Sequence, residues 1–367
     1  MESMENTQNL AQLVAWMGFA LAFVFGYVAN KTSFCTMGAV SDVVNMGEWG
    51  RMRAWLCAIA VALLGTNLLV YFGYLDLAQT YYTRGTVYWM GALVGGLTFG
   101  IGMTLAGGCG QRTLVRLGGG NLKSVVVFLF LGYSALVTMN GIFRVVVDKV
   151  LRADIFTVRL DGLQTLPTLL GMADKTAPLL LAVGLSVVIL GFVFASKEFR
   201  ENHDNVLAGL VVGLVVVAGW YVTGHIGYAE NEFMEKSYIG TDSKLAESMT
   251  FVGPLAYTMD LWAYWRDKHV TFGVASVLGV ITGSFIYSVF NRSFRWEYFN
   301  SPQDMFRHIL GAVLMGFGGI TAAGCTIGQA VTGVSTLAAS SFIVFFGIVA
   351  GAAVTMKIQY FLLMRSA

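Results

Sequence analysis

The sequence predicts an all-α polytopic membrane protein with about nine transmembrane helices plus short re-entrant half-helices, built as an inverted-topology repeat. Three observations predict it: an apolar composition, long apolar runs, and a recurring glycine–cysteine pattern. Of 367 residues, 56% are hydrophobic and only 12% are charged, which leaves too little polar surface to coat a soluble particle. The formal charge of +2 is small, and the basic residues sit at the edges of apolar runs rather than in one patch. Composition therefore points to the lipid bilayer as partner and gives no footing for nucleic acid.

Apolar stretches able to cross a hydrocarbon core of roughly 30 Å occur at 13–29, 52–75, 88–107, 122–146, 178–196, 205–223, 270–290, 307–323 and 338–362. Residues 1–12 carry Glu2 and Glu5 and no basic residue, unlike the positive start of a signal peptide, so the first run is expected to stay as a membrane helix. Three further apolar pieces, after Cys35, Cys109 and Cys325, are too short to cross. They read as half-helices, which lipid tolerates only where protein or a cavity covers the open backbone.

Orientation follows from the basic residues. With the N-terminus outside, the cytoplasmic segments collect Lys31, Arg51, Arg53, Arg112, Arg116, Lys123, Lys197, Arg200, Arg292, Arg295, Arg307, Lys357 and Arg365, mostly in short connections, as the positive-inside rule requires. The expected location is the cell inner membrane, N-terminus outside and C-terminus cytoplasmic. The longer connections, 147–177 and 224–269, fall outside; the second carries Glu230, Glu232, Glu235, Asp242, Glu247, Asp260 and Asp267. Its Trp262, Tyr264 and Trp265 read as an interfacial anchor, with a substrate-related lid as the other reading.

The repeat becomes visible when the cysteines are aligned. GALVGGLTFGIGMTLAGGCGQ surrounds Cys109 and GAVLMGFGGITAAGCTIGQ surrounds Cys325, so Gly95, Gly100, Gly102 and Gly108 coincide with Gly311, Gly316, Gly318 and Gly324. The third span then matches the eighth. Residues 1–146 form the first four-span half, 147–204 a linker holding the fifth span, and 205–367 the second half with its long external loop 224–269. A shift of five spans reverses direction, and folds of this kind carry their site at the repeat interface near the midplane.

The first motif, GYVANKTSFCTMG at 26–38, shares the glycine nine residues ahead of its cysteine, and Cys-Thr-x-Gly appears at Cys35-Thr36-Met37-Gly38 and Cys325-Thr326-Ile327-Gly328. The sixth span, expected partner of the first, ends Gly219-Trp220-Tyr221-Val222-Thr223-Gly224 without a cysteine. Unpaired N–H groups at a half-helix start attract an anion, and glycine permits close approach. A thiol in apolar surroundings stays neutral and donates a weak S–H hydrogen bond without repelling an anion. Weak contacts suit passage, because a permeant species must leave each site. The candidate residues are Cys35, Cys109, Cys325, Gly108, Gly324, Thr36, Thr326, Gln111 and Gln329. The two glutamines could offer amide donors to a solute or cap freed backbone. Cys57 reads as an apolar filler, His225 and His308 as membrane-edge residues, and the scattered methionines as filler. The glycine runs also serve close helix packing.

TSFCTMG, LAGGCGQ and AAGCTIG, with nine spans around them, resemble the YeeE/YedE family of sulfur-transport membrane proteins over nearly the whole chain. The resemblance implies a thiosulfate permease in which the anion passes Cys35, Cys109 and Cys325 at a central constriction through S–H contacts with its terminal sulfur. It implies a transporter rather than an enzyme, no cofactor, a TusA-like cytoplasmic sulfurtransferase as partner, and a selenium compound as the alternative solute. Two other readings follow from the thiols themselves. One is a membrane sulfurtransferase that relays persulfide sulfur to a cytoplasmic acceptor, which needs an activating cation such as Lys31 or Arg112. The other is a soft-metal permease, against which stands the lack of a CxxC pair or compact Met or His cluster.

Overall fold

A computed structural model describes residues 2–172, 174, 176–230, 236–264 and 270–366. The helices are α1 (Glu2–Lys31), α2 (Thr36–Ser41), α3 (Gly50–Tyr71), α4 (Trp89–Leu105), α5 (Gly110–Gly118), α6 (Leu122–Asn140), α7 (Ile142–Val146), α8 (Leu166–Leu169), α9 (Ala177–Phe194), α10 (Lys197–Glu201), α11 (His203–Tyr221), α12 (Val252–Ala263), α13 (Phe272–Phe290), α14 (Pro302–Thr321) and α15 (Ala339–Ser366). Among the described residues, nine helical stretches are long and apolar enough to cross a bilayer, and they fall where the nine apolar runs lie. The protein is an all-α polytopic membrane protein.

Local chemistry starts these helices. Asn121, Thr271 and Ser301 each cap one with a side-chain oxygen that accepts from a backbone N–H, and Pro302 occupies the first turn of α14, where no intrahelical donor is lost. Outside the helices, β1 (Thr86–Tyr88) pairs antiparallel with β2 (Thr157–Arg159), and β3 (Tyr228–Glu230) with β4 (Lys236–Tyr238).

Helix pairings follow the repeat. α1 packs on α13 and α11 on α3; α4 packs on α15 and α14 on α6; α4 and α14 pack on each other. Replacing each of the first four spans by its counterpart in the last four exchanges α1–α13 with α11–α3 and α4–α15 with α14–α6, and returns α4–α14 to itself. Glycine makes the central crossing possible. A Cβ on Gly95 would lie 2.9 Å from the Gly318 carbonyl oxygen, and one on Gly102 would lie 2.6 Å from that of Gly311. These two close approaches are the same pair of aligned positions taken in opposite order, so α4 and α14 run antiparallel. Gly100 meets the Ile348 carbonyl on α15 as its counterpart Gly316 meets the Leu131 carbonyl on α6. With no driving force to exclude water, membrane helices gain contact by this close backbone packing.

The connection 224–269 is not one loop. Val252–Ala263 is helical, and α12 packs between α13 and α6 as α2 packs between α3 and α15. A half-helix counterpart to α2 therefore exists, although no cysteine opens it. Of the residues expected in this connection, Glu232, Glu235, Trp265 and Asp267 lie outside the described residues. Trp262 packs on Phe128 of α6 at 5.9 Å between ring centroids.

Candidate functional site

Each motif cysteine follows the same chain break. At the ends of α1, α4 and α14, the N–H of Phe34, Gly108 and Gly324 donates five residues back, to Ala29, Met103 and Gly319, at 3.0, 2.9 and 2.7 Å. This is the Schellman ending, which needs one left-handed residue. That residue stands two before each cysteine: Ser33 (φ 52), Gly107 (φ 70) and Ala323 (φ 57). Cys35, Cys109 and Cys325 then become the N-caps of α2, α5 and the π-helical segment Thr326–Gly333. The glycine ahead of the cysteine leaves room for a longer neighbour. A Cβ on Gly108 would lie 3.0 Å from Arg112 Cγ, and one on Gly324 2.9 Å from Gln329 Cγ.

All four cysteines are free and buried. Cys35 and Cys325 cap their half-helices, accepting from the Gly38 and Gly328 N–H groups at 3.4 Å each. Cys109 makes no such cap, and its Sγ donates to Gln111 Oε1 at 3.6 Å. It lies within electrostatic reach of both Cys35 and Cys325, with the Thr326 side chain beside it, and so links the other two thiols. Cys57 is elsewhere, filling the α3–α11 contact against Gly209.

Two kinds of polar group surround the three thiols. Some are already spent. Gln111 Nε2 donates to the Phe34 carbonyl at 3.3 Å, and Gln329 Nε2 to the carbonyls of Ala322 and Ala323 at 2.7 and 3.0 Å. Of the two uses the sequence allows these amides, the structure shows backbone capping at chain breaks. Other buried groups have no partner among the described residues, Thr36 Oγ1 and Arg112 Nε, or only loose ones, Thr326 Oγ1 beside Cys109 and the Tyr82 hydroxyl beside Tyr81 and Thr250. Buried polar atoms without partners are rare.

The surroundings of Cys35 and Cys325 differ. Beside Cys35, Arg112 is half-buried, near both Cys35 and Cys109, and forms no ion pair among the described residues. Arg51 pairs with Asp42 at 3.2 Å, and its Nη1 lies 2.6 Å from where a Gly38 Cβ would stand. Close to Gly108, a cavity of about 20 Å³, enough for one water, is lined by Arg116, Lys123 and His308 among others. Beside Cys325 the surroundings are neutral hydroxyls. Thr250 Oγ1 is 3.9 Å from its sulfur, the Tyr81 hydroxyl donates to the Ala323 carbonyl at 2.6 Å, and Tyr82 approaches Gly328 and Thr250. Burial pushes both tyrosines well above the usual phenol range, so they stay uncharged. Glu247 lies within electrostatic range of both.

The sequence singles out the three thiols and both threonines and offers Arg112 only as an activating cation for a persulfide relay; α5 brings Arg112 near both Cys35 and Cys109. The sequence does not single out Thr250 or the start of α12. Val252 abuts Gly319 and lies 3.9 Å from a Cβ placed on Gly110, the residue after Cys109.

Among the described residues, nine apolar helices able to span a bilayer, with three buried thiols at chain breaks, make this a polytopic membrane protein. The chain belongs to the sulphur transport family, whose model matches residues 31–354. It is similar to the thiosulfate transporter TsuA of Escherichia coli strain K12, 27% identical over 326 residues that cover 85% of each chain. It is also similar to the thiosulfate transporter TsuA of Spirochaeta thermophila, 24% identical over 341 residues, 90% of this chain and 95% of that one.

Proposed function

We propose that this protein takes up thiosulfate, or a similar reduced sulfur anion, through the row Cys325, Cys109, Cys35. The observation that carries the reading is the adjacency of three buried thiols with two buried hydroxyls, Thr326 beside Cys109 and Thr36 with no partner among the described residues. A neutral S–H donates to the terminal sulfur of the anion, the threonine hydroxyls and half-helix N–H groups take its oxygens, and no contact is strong enough to trap it. Gln111 and Gln329 act by holding the breaks in shape, and Gly108 and Gly324 by giving Arg112 and Gln329 their space. Arg112 is the cation at the inner end.

In this reading the N-terminus is outside and the C-terminus in the cytoplasm of a cell with the protein in its inner membrane, so the basic end at Arg51 and Arg112 faces inward. Residues 1–146 and 205–367 are the two halves, joined by 147–204, and a TusA-like sulfurtransferase receives the sulfur inside. The names of the two relatives support the solute assignment.

Uptake of labelled thiosulfate into cells deprived of other sulfur sources tests it. Cys109→Ala and Cys325→Ala are expected to abolish uptake while Cys57→Ala leaves it intact; undiminished uptake in the first two sinks the proposal. Competition by sulfate, sulfite, selenite and cysteine separates the sulfur from the selenium reading. The nearness of Arg112 to Cys35 and Cys109 also favours a second reading, a persulfide relay. A persulfide adduct on either thiol during turnover, seen by mass spectrometry, distinguishes it from passage without covalent chemistry.

A further inference from the structure

The outer end of the row holds a charge arrangement that passage of the anion does not by itself explain. Glu247 is buried, yet its carboxylate receives only the Asp242 N–H at 3.3 Å and the Ser243 hydroxyl at 3.4 Å. Its backbone is locked. The Glu247 N–H donates to Thr223 Oγ1 at 3.1 Å, and the Thr223 hydroxyl donates back to the Glu247 carbonyl at 2.5 Å. The groups that face it are Asp242 from its own connection, Tyr81 and Tyr82 from the connection before α4, and Tyr257 from α12. None of these is basic. Three are phenols, and the fourth is a second carboxylate, held by Thr271 Oγ1 at 2.6 Å.

An ionised carboxylate there would stand, unneutralised, beside the neutral hydroxyls that surround Cys325. Glu247 is three residues before Thr250, whose hydroxyl touches the Cys325 sulfur, and Tyr82 feels both Glu247 and Cys325. A dianion arriving at Cys325 meets that negative charge in a dry setting where like charges are costly. A proton on Glu247 removes the repulsion. The charge on Asp242 adds to the cost of ionising Glu247.

We propose that Glu247, with Asp242, is a proton-binding site at the outer end of the cysteine row, filled together with the anion: a proton from the outer solution joins the Glu247 carboxylate when thiosulfate reaches Cys325. This rests on the thiosulfate reading above. Burial, with Asp242 adding to it, pushes the Glu247 carboxyl up to about 8, so the group changes charge near neutral pH. Linkage makes the effect reciprocal: protonation favours the anion, and the anion favours protonation. An inward-moving dianion also works against an inside-negative potential, and one bound proton offsets one of its two charges.

The test uses the purified full-length protein and radiolabelled thiosulfate. Below the Glu247 midpoint the carboxyl is neutral and binding is full. Above it, binding weakens by up to about tenfold per pH unit, so affinity is expected to fall about tenfold between pH 7 and pH 9. In weakly buffered solution near pH 8, thiosulfate addition is expected to take up about half a proton per anion bound. Glu247→Gln, a neutral isostere, should bind thiosulfate with a flat pH profile and no proton uptake. Asp242→Asn should move the midpoint to lower pH, because a negative neighbour is gone. A pH slope and proton uptake in Glu247→Gln equal to those of the unaltered protein overturn the proposal and assign the titration to the thiols. Absence of thiosulfate binding to the unaltered protein at any pH is a different result, which removes the thiosulfate reading itself and this site with it.

Discussion

The break between α1 and α2 and the one between α11 and α12 occupy matching places in the two halves, but four residues bridge the first and thirty the second. Both set a half-helix start against the centre of the molecule. At the first stands Cys35, with Arg112 and Arg51 close by. At the second stand Phe251 and Val252, with Thr250 in touch with Cys325 and Glu247 just upstream. A backbone can keep a pseudo-two-fold arrangement while its chemistry is divided: a thiol and cations at one end, hydroxyls and a buried acid at the other. On the proposed path, a solute would meet different partners at its two ends.

Removing the cation from the Cys35 end should have the largest effect on this comparison. Arg112→Gln takes away a charge-assisted donor worth about 1.5–3 kcal/mol, so thiosulfate binding should weaken about tenfold or more. Arg51→Gln should do less, because Asp42 already engages that side chain. Equal affinity in Arg112→Gln and the unaltered protein, measured by equilibrium binding, would show that the inner end does not hold the anion by charge.

A fourth thiol would sharpen the comparison from the other side. Val252→Cys places sulfur where the second half lacks it, at a buried position against Gly319 and near Gly110. The loss of volume should cost about 1 kcal/mol, so the fold survives. If the α12 start borders the passage, thiosulfate will slow alkylation of this cysteine as it slows that of Cys325. Alkylation that thiosulfate does not slow would place the start of α12 outside the path.

Much of this was legible in the residues. The apolar runs located every span, and glycine at Gly95, Gly102, Gly311 and Gly318 announced a close helix crossing before the crossing was seen. The three half-helices were legible because each repeats a glycine, a cysteine and a short apolar piece. The fourth was not, since no cysteine marks it and α12 opens with Phe251 and Val252, well past the Gly219–Gly224 stretch at the expected position. A helix of twelve residues is too short to count as a span, and it follows an acidic connection that reads as a loop. The use of the glutamines was equally hidden. Whether an amide faces a solute or a freed carbonyl depends on where the break bends, and at Gln329 it bends onto the Ala322 and Ala323 carbonyls.

The smallest expected effect concerns the breaks themselves. One left-handed residue precedes each cysteine by two positions, but only Gly107 is a glycine, whereas Ser33 and Ala323 hold that conformation with a side chain. Left-handed backbone costs an L-residue about 1–2 kcal/mol. Ala323→Gly should relieve most of that, less the entropy a glycine adds to the unfolded chain, for a net gain of up to about 1 kcal/mol. Gly107→Ala should cost a similar amount from backbone strain alone. The added Cβ would stand 3.5 Å from Arg116 Nη1 and 3.7 Å from His308 Nε2, ordinary contact distances. Thermal unfolding of the two variants in detergent should therefore shift in opposite directions by about a degree or two. Shifts of the same sign would mean that the breaks before Cys109 and Cys325 are not equivalent, and that strain at Ala323 is held in place by the Tyr81 and Gln329 bonds to its carbonyl rather than borne by the turn.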